Sequence, residues 1–120
     1  MAESLNSISN NIIKQIIKNS LFTERQIEII LNQLGIRKTG FSITKGAYYR
    51  QVNQSRDKLL GLYYSIILLR GLGVLIPEDI DVINRLSEQV SVISNSDVFP
   101  EREDEIISVI ESLVNRACRL

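Results

Sequence analysis

The stretch Ile43-Thr44-Lys45-Gly46-Ala47-Tyr48-Tyr49-Arg50-Gln51-Val52-Asn53-Gln54-Ser55-Arg56-Asp57-Lys58-Leu59 holds the side chains of this sequence whose types and spacing are best suited to chemistry. As a helix it has two unlike faces. Ala47, Val52, Leu59 and one side of Tyr48 point inward, leaving Thr44, Lys45, Tyr49, Arg50, Asn53, Gln54 and Arg56 outward. Such a helix docks by its apolar face and offers short or forked polar groups to a DNA major groove roughly 12 Å wide. Arg50 suits paired hydrogen bonds to guanine, and Asn53 or Gln54 to adenine, with Tyr49 competing for the central base position. Thr44 and Lys45, beside the unpaired N–H groups of a helix start, suit phosphate contact, as do Lys38, Arg56 and Lys58. The plain alternative is that this basic face is simply solvated.

Other chemistry finds few materials. There is no histidine, so the usual acid–base group near neutral pH is absent, as are His-containing metal sites. The single cysteine, Cys118, cannot build a zinc site or an intrachain disulfide, and at the end of an apolar helix pattern it reads as a small hydrophobe. The acidic residues gather at predicted helix starts, where they complement the helix dipole. No phosphate-binding Gly-rich motif occurs. The expectation is a non-enzymatic protein with no metal, cofactor or small-molecule ligand.

The elements that must hold the basic helix follow from periodicity. Leu5, Ile8, Ile12, Ile13, Ile16 and Ile17 form one apolar stripe, predicting a helix from Leu5 to about Ser20 whose start is blurred by Asn and Ser. Thr23 with Gln26 three residues on is a capping-box spacing, with Phe22 and Ile27 placed as a hydrophobic staple. That helix carries Ile27, Ile30, Leu31 and Leu34, and Gly35 is placed to end it in a left-handed cap. The loop GIRKTGF has Ile36, Phe41 and Ile43 as apolar anchors. From Thr44 the chain can stay helical to about Arg70, a length of about 40 Å. Gly61 marks either a bend or break, or a close helix crossing. Residues 59–69 are apolar nearly all round, as in a segment buried on several sides. Pro77 and Pro100 stand at first helical positions with acids behind them. Their stripes are Ile80, Ile83, Leu86, Val90, Ile93 and Ile106, Ile107, Ile110, Leu113, Val114, Ala117, which read as an antiparallel pair or as a dimer seam.

At 120 residues, 44% of them hydrophobic, the chain has the length of one domain with a modest core. Its formal net charge is zero, but residues 1–60 hold nine Lys/Arg against four Asp/Glu, and residues 61–120 hold five against ten. A chain polarised in this way can present a positive face to phosphates. The N-terminus lacks the basic and apolar blocks of a secretory signal, and the apolar run Leu59–Leu69 is short of the ~20 residues needed to span a bilayer. The default expectation is a cytoplasmic protein without membrane contact.

The segment 43–59 resembles the recognition helix of helix-turn-helix regulators of the sigma-factor region-4 and LuxR-like kind. Ile43, Thr44, Gly46, Ala47 and Tyr48 stand at the positions of an Ile-Ser-x-Gly-Thr-Val start, and Arg50, Ser55, Arg56, Lys58 and Leu59 follow as its basic, small polar and leucine residues do. TERQIEIIL at 23–31 is similar to the opening of that domain's first helix. The family places a short helix where this chain has the loop Gly35–Ser42. Either residues 23–34 supply the helix before recognition, with residues 5–20 as the first of three and a longer turn between, or the likeness is local. The resemblance implies sequence-selective binding of double-stranded DNA.

The resulting expectation is an all-α protein: a three-helix DNA-binding head over residues 5–58, a long linking helix, and a helical dimerisation or partner-binding region over 59–118, with one compact domain as the other arrangement. Tyr63, Tyr64, Leu68, Ile83, Ile106, Ile110 and Leu113 are the expected interface of a homodimer. The alternative function is a non-enzymatic helical adaptor or assembly subunit that binds another protein.

Overall fold

The computed structural model describes residues 10–94 and 100–120, and all regular structure among them is helical. The helices are α1 (Asn11–Asn19), α2 (Glu24–Gln33), α3 (Lys45–Gly71), α4 (Pro77–Ser94) and α5 (Pro100–Ala117). Leu5 and Ile8 of the first predicted stripe, and most of the SNSD break, lie outside the described residues.

Each start has a local cause. Asn10 Oδ1 accepts from the Ile12 and Ile13 N–H groups at 2.8 and 3.3 Å. At α2 the capping box is complete, with Thr23 Oγ1 accepting from the Gln26 N–H at 3.1 Å and Gln26 Oε1 accepting from the Thr23 N–H at 2.9 Å. Thr44 Oγ1 accepts from the Ala47 N–H at 3.1 Å and starts α3. That helix is 27 residues long and continues through Gly61 without a break.

The ends of α2 and α3 share one device. Gly35 (φ 74°) and Gly73 (φ 82°) occupy the left-handed region that favours glycine. Around Gly35, its own N–H donates to the Asn32 carbonyl and the Ile36 N–H to the Leu31 carbonyl; around Gly73, the Gly73 and Val74 N–H groups donate to Arg70 and Leu69 in the same pattern. These are Schellman caps, and the short sequences Leu31-Asn32-Gln33-Leu34-Gly35-Ile36 and Leu69-Arg70-Gly71-Leu72-Gly73-Val74 write the same motif twice.

α2 lies beside the first half of α3 and runs in the opposite sense. Tyr48 Oη accepts from Asn32 Nδ2 at 2.8 Å and donates to Gln33 Oε1 at 3.0 Å, at the C-terminal end of α2. Further along α3, Lys58 Nζ donates to the Leu21 carbonyl at 2.8 Å and to Gln26 Oε1 at 2.9 Å, at the N-terminal end of α2. α1 packs on α2, α4 and α5, and α4 packs on α5. The last two helices are antiparallel, since Arg119, just beyond α5, reaches Asp79 at the start of α4. Asn10 Nδ2 and Arg37 Nη2 donate to the Ile93 and Ser94 carbonyls, tying the far end of α4 to the rest.

Ile12, Ile17, Ile29 and Ile93 are the buried hydrophobic residues among those described. Ile29 was not on the predicted α2 stripe, and Leu34, which was, is exposed. The reason is that α2 is packed by both α1 and α3, so a residue off a single stripe becomes the most enclosed, while Leu34 falls beyond the helix end. A larger correction concerns residues 59–69. Leu60, Tyr63, Tyr64, Ile66, Ile67 and Leu68 are exposed, because α2 is too short to reach them and α1, α4 and α5 do not pack on α3. The molecule is accordingly flat and open, 43 × 37 × 20 Å, with a radius of gyration of 16.0 Å; a compact chain of this length has about 13.5 Å. Among the described residues no helix is long and apolar enough to cross a membrane.

Candidate nucleic-acid interface

The exposed side of α3, opposite α2, is built from the segment that the sequence singles out. Tyr49, Arg50, Asn53 and Gln54 are all exposed, and so are Lys38, Thr44, Lys45, Arg56 and Lys58. The inward residues Ala47, Tyr48, Val52 and Leu59 are partly covered. The side chains of Arg50, Asn53, Gln54, Arg56, Lys38 and Lys45 take part in no intrachain hydrogen bond or ion pair among the described residues, which leaves their side-chain donors and acceptors available. Two phosphate candidates are already occupied. Thr44 Oγ1 caps α3, and Lys58 Nζ is held by Leu21 and Gln26 and lies 6.0 Å from the Phe22 ring centroid.

The base of this face is stiffened by side chains that the sequence did not single out for it. Asn32 Oδ1 accepts from the Thr39 N–H at 3.0 Å while its Nδ2 donates to Tyr48 Oη, so one amide ties the 34–44 connection and α3 to α2. Phe41 packs on Tyr48 at 5.5 Å between centroids, Tyr48 meets Tyr49 edge-on at 5.3 Å, and the Arg25 guanidinium stands 5.4 Å from the Phe41 centroid. A lone Asn in a helix and a lone Phe in a loop give no periodic signal, and only the fold shows what they join. The antiparallel α2–α3 hairpin, with its connection from Leu34 to Thr44, is a longer device than a helix-turn-helix turn of roughly three or four residues.

The expected interface residues divide. Tyr63, Tyr64, Leu68 and Ile83 are exposed, whereas Ile106, Ile110 and Leu113 are partly covered within the chain. Ile110 lines a groove between α1 and α5 with Ile16, Ile107 and Val114.

Two carboxyl groups are perturbed. Burial raises Glu28 above its ordinary value, offset in part by Arg25, whose Nε is 3.5 Å from Glu28 Oε1. Asp79 is held below its ordinary value, first by the Ile76 N–H that donates to its Oδ2 at 2.9 Å and then by Arg119. Arg119 Nη1 lies 3.1 Å from each carboxylate oxygen of Asp79, and its Nη2 donates to the Val74 carbonyl at 2.6 Å. This clamp joins the end of α5 to the α3–α4 turn and is structural in character. Among the described residues no group of three or more Asp, Glu, His or Cys side chains could hold a metal ion. Comparison with known proteins returns no matching family model, no similar curated protein and no similar solved structure.

Proposed function

We propose that this protein is a small, non-enzymatic, cytoplasmic regulator that binds double-stranded DNA with sequence preference and acts as a homodimer. The observation that carries this reading is the set Arg50, Asn53 and Gln54, exposed beside Tyr49 on one face of a capped, well-braced helix and without intrachain polar partners among the described residues. These are side chains that pair with guanine and adenine edges, and Lys38, Lys45 and Arg56 are exposed basic groups suited to phosphate. Because α2 and α3 form an antiparallel hairpin, the groove is met by the exposed side of α3 rather than by its first turn alone.

The test is a fluorescence-anisotropy titration with a random duplex and with duplexes enriched by selection. Wild-type protein saturates with a preference for the enriched pool. Arg50→Ala and Asn53→Ala each weaken specific binding by about 1–3 kcal/mol and relax the preference. A folded protein that binds neither duplex sinks the reading. The second reading, a helical adaptor for another protein, is favoured by the exposed apolar half of α3; it expects Arg50 and Asn53 to be silent and Tyr63, Tyr64 and Leu68 to matter.

A further inference from the structure

Lys38 is a proposed phosphate contact that comes from the 34–44 connection rather than from α3, and the chain is pinned on both sides of it. Before it, the Arg37 N–H donates to the Leu31 carbonyl at 3.2 Å and Arg37 Nη2 to the Ser94 carbonyl at 3.3 Å. After it, the Thr39 N–H donates to Asn32 Oδ1 at 3.0 Å. The Lys38 side chain between them is exposed. We propose that Asn32 is a positioning residue of the DNA site: it fixes Lys38 relative to α3, so that the phosphate held by Lys38 sets which base pairs Arg50 and Asn53 meet. The proposal rests on the preceding reading and adds to it the residue that links phosphate register to base readout.

One side-chain amide makes the link. While Oδ1 holds the Thr39 N–H, Asn32 Nδ2 donates to Tyr48 Oη at 2.8 Å, so one end of a rigid planar group grips the connection and the other grips α3. Two hydrogen bonds across one amide keep the Thr39 nitrogen within about 8 Å of the Tyr48 hydroxyl, less than the roughly 12 Å width of a major groove. The hydroxyl is itself directed, because it donates to Gln33 Oε1 at 3.0 Å. Phe41 gives the connection a second hold on α3 by packing on the Tyr48 ring at 5.5 Å. Tyr48, Tyr49 and Arg50 are consecutive, so the anchor of the connection and the first proposed base contacts share one turn of α3.

The Asn32 side chain has no part in ending α2. Backbone bonds do that, from the Leu34, Gly35 and Ile36 N–H groups to the Ile30, Asn32 and Leu31 carbonyls. What the amide supplies is order in the connection. A lysine on a loose loop must order that loop whenever it meets a phosphate, whereas a pinned lysine orders only its own rotamers. Random duplex offers phosphate contacts in any register, but a specific complex needs the phosphate and base contacts at once. Pinning therefore favours the specific complex over the random one.

Anisotropy titrations with enriched and random duplexes give the preference as a ratio of dissociation constants. Asn32→Ala should reduce that ratio about three- to tenfold, with the loss falling on the enriched duplex. A variant that is merely less well folded loses both affinities in proportion. In a Lys38→Ala background the same substitution should change the ratio less than about twofold, since a residue acting through another is silent once that other is gone. Tyr48→Phe keeps the ring against Phe41 and is the milder variant should Asn32→Ala fail to fold; it should lower the ratio in the same direction. Hydrogen exchange reads the device without DNA: in Asn32→Ala the Thr39 N–H should exchange at least about tenfold faster, while amides within α2 and α3 keep their rates. A folded wild-type protein that binds no duplex removes the preceding reading and this one with it. If the wild type does show a preference, three results overturn this proposal alone: a ratio unchanged in Asn32→Ala and Tyr48→Phe, proportional losses on both duplexes, or an undiminished Asn32→Ala effect in the Lys38→Ala background.

Discussion

Ser55 is 2% exposed, on the part of α3 that α2 covers, and its hydroxyl meets no partner among the described residues. A buried polar group left unpaired is a cost, so Ser55→Ala should leave the melting temperature unchanged or raise it, as read by thermal denaturation. Ser55→Leu, which forces extra volume into the same seam, should lower stability by about 1–3 kcal/mol. Asp79 makes a pH prediction. Its carboxyl is held below the ordinary value of 3.8, so its stabilising contribution is complete above that pH and is lost as pH falls through the folded value. Asp79→Asn should flatten the acid limb of a stability-versus-pH curve. Glu28 has the opposite sign: raised above 4.5, it favours the fold most below that pH and loses the advantage as pH rises through its folded value, so Glu28→Gln should flatten the curve on that side.

At the scale of elements, the caps set where the helices begin and end. Thr23→Ala should cost about 1 kcal/mol through loss of one arm of the capping box. Gly35→Ala and Gly73→Ala should each cost about 1–2 kcal/mol, because both positions require the left-handed conformation; urea denaturation would read each loss. Helix ends were legible in the sequence because their signal is local: Thr23 with Gln26, Thr44, Pro77, Pro100 and Gly35 each act on backbone within a few residues. Gly73 carries the same cap as Gly35, but its motif is recognised by matching it to Leu31–Ile36 rather than by any single residue. Packing was less legible. Ile29 is enclosed because two helices meet α2, and Arg119 matters because the fold returns it to Asp79, 40 positions earlier. Periodicity reports that a face is apolar but not which neighbour arrives, so the apolar segment 59–69 could be expected to be buried without showing that its own chain leaves it uncovered. The candidate site was legible as a face: with α2 on one side, Tyr49, Arg50, Asn53 and Gln54 had only the other side to occupy. That α2 runs antiparallel to α3 was not, because the long connection permits more than one crossing.

For the molecule as a whole, the long helix divides the work between its ends. Its first half is braced by α2 and presents polar and basic groups, and its second half stands clear of the other helices and presents almost only hydrocarbon and phenol. On the proposed reading of a DNA-binding homodimer, the two halves respond to salt with opposite signs. Phosphate contacts weaken steeply with ionic strength because counterions released on binding must be displaced from a richer solution. Apolar burial is strengthened by sulfate, which is excluded from protein surface. Along an ammonium sulfate series, sedimentation should show the dimer gaining while anisotropy shows the DNA complex dissolving. A rod with the same surface along its whole length would move both signals together.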